Sequence, residues 1–176
     1  MYPDLPLVGI EPAVKPAAQN HRGEKVAVMA TPLTLHEEKF KQLVKRYEDQ
    51  AVIIPVPCPD LVEYVEKGIL EGPELEGYLK DVLTPCLQEG VKAVVLGCTH
   101  FPLVKSAIGK VVGESVRIYD GGEGTARQAK CLLAAKNLCT DQEKGHICFE
   151  SSAPEKEAYY EALYRKAAHI DSRVKL

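Results

Sequence analysis

The residues best suited to acid–base chemistry form one short segment, Gly97-Cys98-Thr99-His100. A cysteine directly after an apolar strand lies near the amide groups of the following turn, and His100 is close enough in sequence to reach it. Both neighbours favour the thiolate, which is the reactive form of cysteine. The segment therefore predicts a functional thiol. By position alone, however, a small buried apolar cysteine is an equally good interpretation.

Residue spacing disfavours two other kinds of ligand site. Cysteine and histidine bind zinc, but one residue between Cys98 and His100 is shorter than usual zinc spacing and no second pair follows, so we predict no metal. The segment 120–124, Asp-Gly-Gly-Glu-Gly, invites interpretation as a phosphate loop. It lacks the spaced glycines of a dinucleotide-binding loop and the Lys-Ser/Thr ending of a nucleotide loop. A turn leading into a helix is sufficient to explain it.

Polar residues near other predicted strand ends could share a cleft with Cys98. Thr31 and Thr34 either cap a helix or use hydroxyl and backbone groups to hold a carboxylate. Glu63 lies near the start of a helix, from which it could reach the cleft, although a solvent-facing glutamate is the commoner outcome. The remaining cysteines are predicted in a strand-end loop (Cys58) or as packing residues of apolar helices and strands (Cys86, Cys131, Cys139 and Cys148).

Apolar strands alternating with amphipathic helices must position these residues. Strands are predicted at 25–30, 51–54, 91–97, 115–119 and 145–149. Continuous apolar strands are typical of a parallel sheet covered on both faces, and the alternation predicts an α/β fold. Sites in such sheets gather at the carboxyl ends of the strands, where Thr31, Cys58 and Cys98 are expected.

Helix boundaries follow from caps and prolines. Thr34 and Asp60 are predicted N-caps, and helices are expected after them, at 74–88, from Pro102, after Thr125 and at 155–168. Pro85 should bend or end the helix at 74–88, because proline lacks the amide that continues a helix. Pro12 and Pro16 predict an extended linker between them rather than a helix.

Size and charge narrow the class of protein. The chain has 176 residues, 45% of them hydrophobic, which allows one core with or without an appendage. Its net charge of −3 gives no reason to expect binding to nucleic acid or to an anionic membrane. No apolar run approaches the ~20 residues of a membrane helix, and residues 1–8 do not resemble a secretory signal. Six cysteines in this setting indicate reduced thiols, so a cytoplasmic enzyme or binding domain is expected.

Five segments, in order, resemble the glutamate racemases of the aspartate/glutamate racemase superfamily. They are Gly9-Ile10-Glu11-Pro12-Ala13-Val14-Lys15-Pro16-Ala17, Ala30-Thr31-Pro32-Leu33-Thr34, Cys58-Pro59-Asp60-Leu61-Val62-Glu63, Leu96-Gly97-Cys98-Thr99-His100-Phe101-Pro102-Leu103 and Asp120-Gly121-Gly122-Glu123-Gly124-Thr125-Ala126. The resemblance implies a parallel-sheet α/β sandwich. It also implies that residues 1–119 are the second α/β domain, largely complete and carrying Cys98. Residues 120–176 would return to an incomplete first domain.

The resemblance also implies a mechanism without pyridoxal phosphate, metal or other cofactor, in which two thiols flank the α-carbon of glutamate. Cys98 matches the thiol that takes the proton from L-glutamate, His100 the residue that assists it, and Glu63 the carboxylate that orients the histidine. Thr99 and Thr31, with Thr34 beside them, match positions that hold the substrate. The implied product is D-glutamate for peptidoglycan and cell shape, made in the cytoplasm by a possible homodimer.

One departure from the family pattern changes the expected activity. The family's opening Asp-Ser-Gly loop and its Cys-Asn-Thr segment, which supplies the first thiol, do not occur in this sequence. We therefore expect impaired racemisation by this chain alone. Two alternatives stay open, namely a racemase of aspartate or another amino acid, and a non-catalytic fragment that associates with a partner.

Overall fold

A computed structural model of the protein describes residues 5–140 and 146–171. Within these ranges the chain alternates between strands and helices, which confirms the α/β class. The elements, in order, are α1 (Val14–Asn20), β1 (Lys25–Ala30), α2 (Pro32–His36), α3 (Glu38–Lys45), β2 (Val52–Pro57), α4 (Leu61–Glu66), α5 (Pro73–Gln88), β3 (Ala93–Leu96), α6 (Lys105–Val112), β4 (Arg117–Tyr119), α7 (Gly122–Ala135) and α8 (Glu157–Asp171). No helix in the described ranges has the length and apolar character needed to cross a membrane.

The four strands form one parallel sheet in the order β2-β1-β3-β4. From β1 the chain moves outward to β2, then returns past β1 to form β3 on its other side. The direction of winding therefore reverses between β1 and β3. In open parallel sheets the crevice beyond the carboxyl ends of two such strands is the usual place for a ligand site.

Both faces of the two central strands are covered. Val26 and Val28 of β1 belong to a buried cluster that also contains residues of α1 and α3. The intervening residues Ala27 and Met29 point to the opposite face, because side chains alternate along a strand, and they are fully buried too. The buried leucines of α5 recur every fourth residue, at positions 75, 79 and 83, so this helix has one continuous apolar stripe.

The described residues divide into two compact units. The large unit is Glu11–Asp120 and contains the sheet, while residues 5–10 and 121–171 form the small unit. Every buried hydrophobic residue of the described structure lies in the large unit. The assignment of 1–119 and 120–176 to two domains of a racemase stays a prediction.

The extended linker predicted between Pro12 and Pro16 was wrong. The chain becomes helical from Val14, and Pro16 lies in the first turn of α1. Proline is tolerated there because the first amides of a helix have no partner within it. The helix predicted at 74–88 is present as α5, and it does not end at Pro85 but continues to Gln88. Only the last turn follows Pro85, and burial of Leu83 and Cys86 stabilises this end of the helix.

Other local predictions also need correction. Thr31, not Thr34, is the N-cap, because its hydroxyl accepts a hydrogen bond from the Thr34 amide at 3.3 Å. Asp60 precedes α4 as expected but its side chain caps no amide. The strand predicted at 145–149 is not formed by 146–149, and position 145 lies outside the described residues. The strand predicted at 25–30 is present with the same bounds, and the strands predicted at 51–54, 91–97 and 115–119 are present with shifted ends.

Candidate active site

The base of the candidate site is a close contact between the two central strands. The Gly97 amide donates a hydrogen bond to the Met29 carbonyl oxygen at 2.7 Å. A Cβ atom on Gly97 would lie 2.8 Å from that same oxygen, so only glycine fits without a shift of the backbone. Met29 pairs with Leu96 across the sheet. Thr31 follows Met29 by two residues, and Cys98 follows Leu96 by two residues. Both therefore lie just beyond the carboxyl edge of the sheet, where the winding reverses.

Cys98, His100 and Glu66 form a chain of polar contacts at this edge. Cys98 Sγ lies 3.9 Å from His100 Nδ1, and His100 Nε2 lies 2.9 Å from Glu66 Oε1. A proton on Nε2 donates to the carboxylate, which leaves the Nδ1 lone pair directed at the thiol. Cys98 and His100 are both half-buried, so the relay is open to a ligand. This geometry suits transfer of a proton between the thiol and the imidazole.

Apolar anchors on both sides bring Glu66 and His100 together. Helix α4 buries Leu61 and Val65 completely and packs against the 3-10 turn Phe101–Val104, where Phe101 is also fully buried. His100 directly precedes this turn and Glu66 directly follows Val65. The polar ends of two well-packed segments consequently meet at the surface beside Cys98.

The carboxylate that contacts His100 is therefore Glu66, whereas Glu63 was the residue expected from the sequence. Glu63 is exposed and forms an ion pair with Lys67 at 3.2 Å, one turn along α4. The two glutamates lie three residues apart in a short helix, so the sequence allowed either to reach the histidine. The signal that could have selected Glu66 is its neighbour Val65. Burial of Val65 in the core fixes which side of α4 the adjacent Glu66 lies on.

The three threonines differ in their surroundings. Thr31 and Thr34 hydroxyl oxygens lie 3.0 Å apart and form one polar pair beyond β1. Thr99 is exposed between Cys98 and His100. The substrate-binding roles of all three stay predictions. No group of three potential metal-ligating side chains converges within the ranges that the structure describes.

Two other thiols of the large unit are buried. Cys58 directly follows β2, its amide donates to the Ala30 carbonyl oxygen at 2.9 Å, and its side chain is fully buried. Burial raises the pKa of the Cys58 thiol to about 12, and the nearby Cys86 and Cys98 thiols add to the shift. Burial also raises the pKa of Cys86. Cys86 is the packing residue expected from the sequence, but Cys131, Cys139 and Cys148 are exposed, contrary to prediction.

These differences predict selective alkylation of the native protein by iodoacetamide at pH 8. The thiolate is the attacking form, so Cys58 and Cys86, whose pKa values are raised and whose side chains are buried, should remain unmodified. Cys98 and the exposed Cys131 should be modified. Peptide mapping by mass spectrometry, with a urea-unfolded control in which every thiol reacts, measures this. Equal rates at Cys58 and Cys131 would contradict the description.

The α/β fold with its parallel sheet matches that of solved racemase structures, and a family model agrees. The family model Asp/Glu/Hydantoin racemase matches residues 2–129. The chain belongs to that family, which confirms the family resemblance.

Curated relatives and solved structures make the comparison more specific. The chain is similar to the glutamate racemases of Clostridium perfringens, with 44% identity over 156 residues (88% of this chain, 60% of the relative), and Clostridium novyi, with 46% identity over 147 residues (83% and 57%). A structure of Escherichia coli glutamate racemase in complex with L-glutamate and the activator UDP-MurNAc-ala has a TM-score of 0.75 at 30% identity, covering 93% of this chain and 62% of that one. The chain thus spans about 60% of the length of these relatives.

Proposed function

We propose that this chain provides the proton-transfer half of a glutamate racemase site, with Cys98 as the acid–base thiol. The observation that carries the proposal is the Cys98–His100–Glu66 relay at the point where the sheet winding reverses. Family membership and the similarity to glutamate racemases support glutamate as the substrate. In the bacterial cell the product D-glutamate would be used for peptidoglycan in the cytoplasm.

The proposed reaction at this half-site has two proton movements. The Cys98 thiol gives its proton to His100 Nδ1, and the imidazolium is stabilised by the Glu66 carboxylate on Nε2. The Cys98 thiolate then takes the α-proton of L-glutamate, and the electron pair of the C–H bond moves onto the substrate carboxylate. The hydroxyls of Thr31, Thr34 and Thr99 are proposed donors to that developing charge. Return of a proton to the opposite face is assigned, by the family resemblance, to a second thiol.

The relay predicts different effects for the two glutamates of α4. Glu66→Gln should lower the rate of α-proton exchange roughly tenfold or more, because a neutral amide stabilises the His100 imidazolium less than a carboxylate does. Glu63→Gln should change that rate less than twofold, because the Glu63 carboxylate is exposed and pairs with the exposed Lys67. Exchange is followed by the NMR signal of the glutamate α-proton in deuterium oxide. Equal losses in the two variants would contradict the relay. Unchanged circular dichroism of Glu66→Gln would show that the fold is retained, so that a lowered exchange rate reports on the relay and not on folding.

An aspartate racemase or a racemase of another amino acid is the alternative within the same family. The test is exchange at the α-carbon of glutamate, aspartate and alanine under identical conditions. We expect exchange with glutamate to exceed exchange with aspartate by at least tenfold. Faster exchange of aspartate would overturn the substrate assignment while leaving the thiol chemistry in place. Homodimerisation also stays a prediction.

A further inference from the structure

The first amides of helix α4 receive no cap from the helix's own N-cap residue. An α-helix leaves the amides of its first turn without partners inside the helix, and a side-chain oxygen at the N-cap usually accepts from one of them. Asp60 occupies the N-cap position of α4, but its side chain accepts no such hydrogen bond. The start of the helix that carries Glu66 therefore needs an acceptor from elsewhere in the fold.

Tyr78 of α5 supplies that acceptor. The Asp60 amide donates a hydrogen bond to the Tyr78 hydroxyl oxygen at 3.4 Å, across 18 residues of the chain. Burial, and to a lesser extent the nearby Cys58 thiol, raise the pKa of Tyr78 to about 12, so the phenol is uncharged at neutral pH. Hydrogen bonding by the amides of Asp60 and Leu61 acts in the opposite direction, so the Leu61 amide also lies close to the phenol oxygen.

Helix α5 holds Tyr78 in a fixed place. Leu75 and Leu79, on either side of Tyr78 in the sequence, are both fully buried. The ring of Tyr78 also contacts the ring of Tyr64, with 5.2 Å between the centroids. Helix α5 has 16 residues and α4 has six, so the phenol oxygen is a fixed point on the longer helix against which the shorter one is placed.

Glu66 lies at the end of α4 opposite this cap, and its carboxylate is 2.9 Å from His100 Nε2. Leu61 and Val65 hold the apolar side of the helix, but apolar contacts are not directional and allow a helix to tilt. A hydrogen bond is directional and restricts that movement. A tilt of about 5° over the roughly 9 Å between Asp60 and Glu66 would move the carboxylate by about 0.8 Å. That displacement is enough to break its hydrogen bond to the imidazole.

We propose that Tyr78 is a positioning residue of the relay, which acts through α4 to keep the Glu66 carboxylate against His100. This inference rests on the proposed function, because the relay is what the carboxylate serves. A spectroscopic readout at His100 makes its test independent of activity.

The test compares Tyr78→Phe with Tyr64→Phe, which is the matched control. Each substitution removes one hydroxyl and keeps the ring, but within the described residues the Tyr64 hydroxyl has no hydrogen-bond partner. The nitrogen NMR signal of His100 Nε2 should move in Tyr78→Phe toward its position in Glu66→Gln, because both changes weaken the contact with the carboxylate. Tyr64→Phe should leave the signal unchanged.

Exchange of the glutamate α-proton is the second readout. Tyr78→Phe should lower the rate roughly three- to tenfold, which corresponds to the loss of about one neutral hydrogen bond, and Tyr64→Phe should lower it less than roughly twofold. In a Glu66→Gln background, Tyr78→Phe should lower the rate less than roughly twofold, because the carboxylate that it positions is already absent. A general loss of stability would lower the rate equally in both backgrounds.

The outcomes separate the positioning role from the proposed function. An unchanged His100 signal in Tyr78→Phe, with circular dichroism showing a folded chain, would overturn the positioning role, as would equal losses of exchange in the two backgrounds. A His100 signal that moves as expected, in a chain that exchanges no glutamate, would support the positioning role and contradict the proposed function. Normal exchange that Tyr78→Phe leaves unaltered would support the function and contradict the positioning role.

Discussion

Replacing Cys98 with alanine is expected to reduce exchange of the glutamate α-proton roughly a thousandfold. The methyl group of alanine cannot carry a proton, and general acid–base groups contribute about 100- to 10,000-fold to such steps. Cys58, which also follows a strand of the sheet, cannot substitute, because it is fully buried and its pKa is raised to about 12. The rate is measured by NMR in deuterium oxide.

Cys131→Ala is the matched control for this experiment. Cys131 is an exposed free thiol of α7, in the small unit, so its loss tests for thiol chemistry unrelated to the site. Its exchange rate should equal that of the unmodified chain. A Cys98→Ala rate above one tenth of the rate of the unmodified chain, with Cys131→Ala unaffected, would contradict the proposed role of Cys98.

The second large effect is on stability, and it follows from the contact at the base of the site. Gly97→Ala is expected to lower the free energy of unfolding by about 3 kcal/mol. The added Cβ would lie 2.8 Å from the Met29 carbonyl oxygen and 3.3 Å from the Ala30 Cβ, and both atoms belong to a central buried strand that has little room to move. Urea unfolding followed by circular dichroism measures the change.

Gly77→Ala makes the same chemical change but is expected to have the opposite effect on stability. Gly77 lies inside α5, and no atom is within 4 Å of the position its Cβ would take. Alanine is the better helix former, so this variant should be more stable by up to about 1 kcal/mol. If Gly97→Ala were as stable as Gly77→Ala, the description of the strand contact would be wrong.

The sheet could be predicted from sequence because its central strands are continuous apolar runs. Residues of β1 and β3 are buried on both faces, and the alternation with helices predicts parallel pairing. The order of the strands could not be read from that pattern. Pairing of Ala30 with Pro57 and of Met29 with Leu96 is set by packing between distant segments.

Local errors arose where position within an element outweighs residue type. Pro12 and Pro16 were expected to exclude a helix, yet Pro16 lies in a first turn. Pro85 was expected to bend or end α5, yet the helix continues past it, because few hydrogen bonds near a last turn depend on the missing amide. The helix cap was assigned to Thr34 instead of Thr31, because the sequence does not show which hydroxyl faces an amide.

The candidate site was predictable only in part. Cys98 and His100 were expected to lie close together because both come just after the same strand, and the structure shows this contact. The choice between Glu63 and Glu66 depends on which face of α4 is buried, and that face is set by contacts with the turn after His100. The exposed thiols of α7 and of residues 139 and 148 were expected to be buried, because their apolar neighbours suggested a core.

The most direct test of the central claim compares the initial rates of α-proton exchange for L-glutamate and D-glutamate, with the unmodified chain in deuterium oxide. Cys98 is proposed to take the proton from the L-isomer. The account therefore predicts exchange of L-glutamate that exceeds exchange of D-glutamate and that Cys98→Ala abolishes. Faster exchange of D-glutamate, or no exchange of either isomer by a chain shown to be folded, would contradict it.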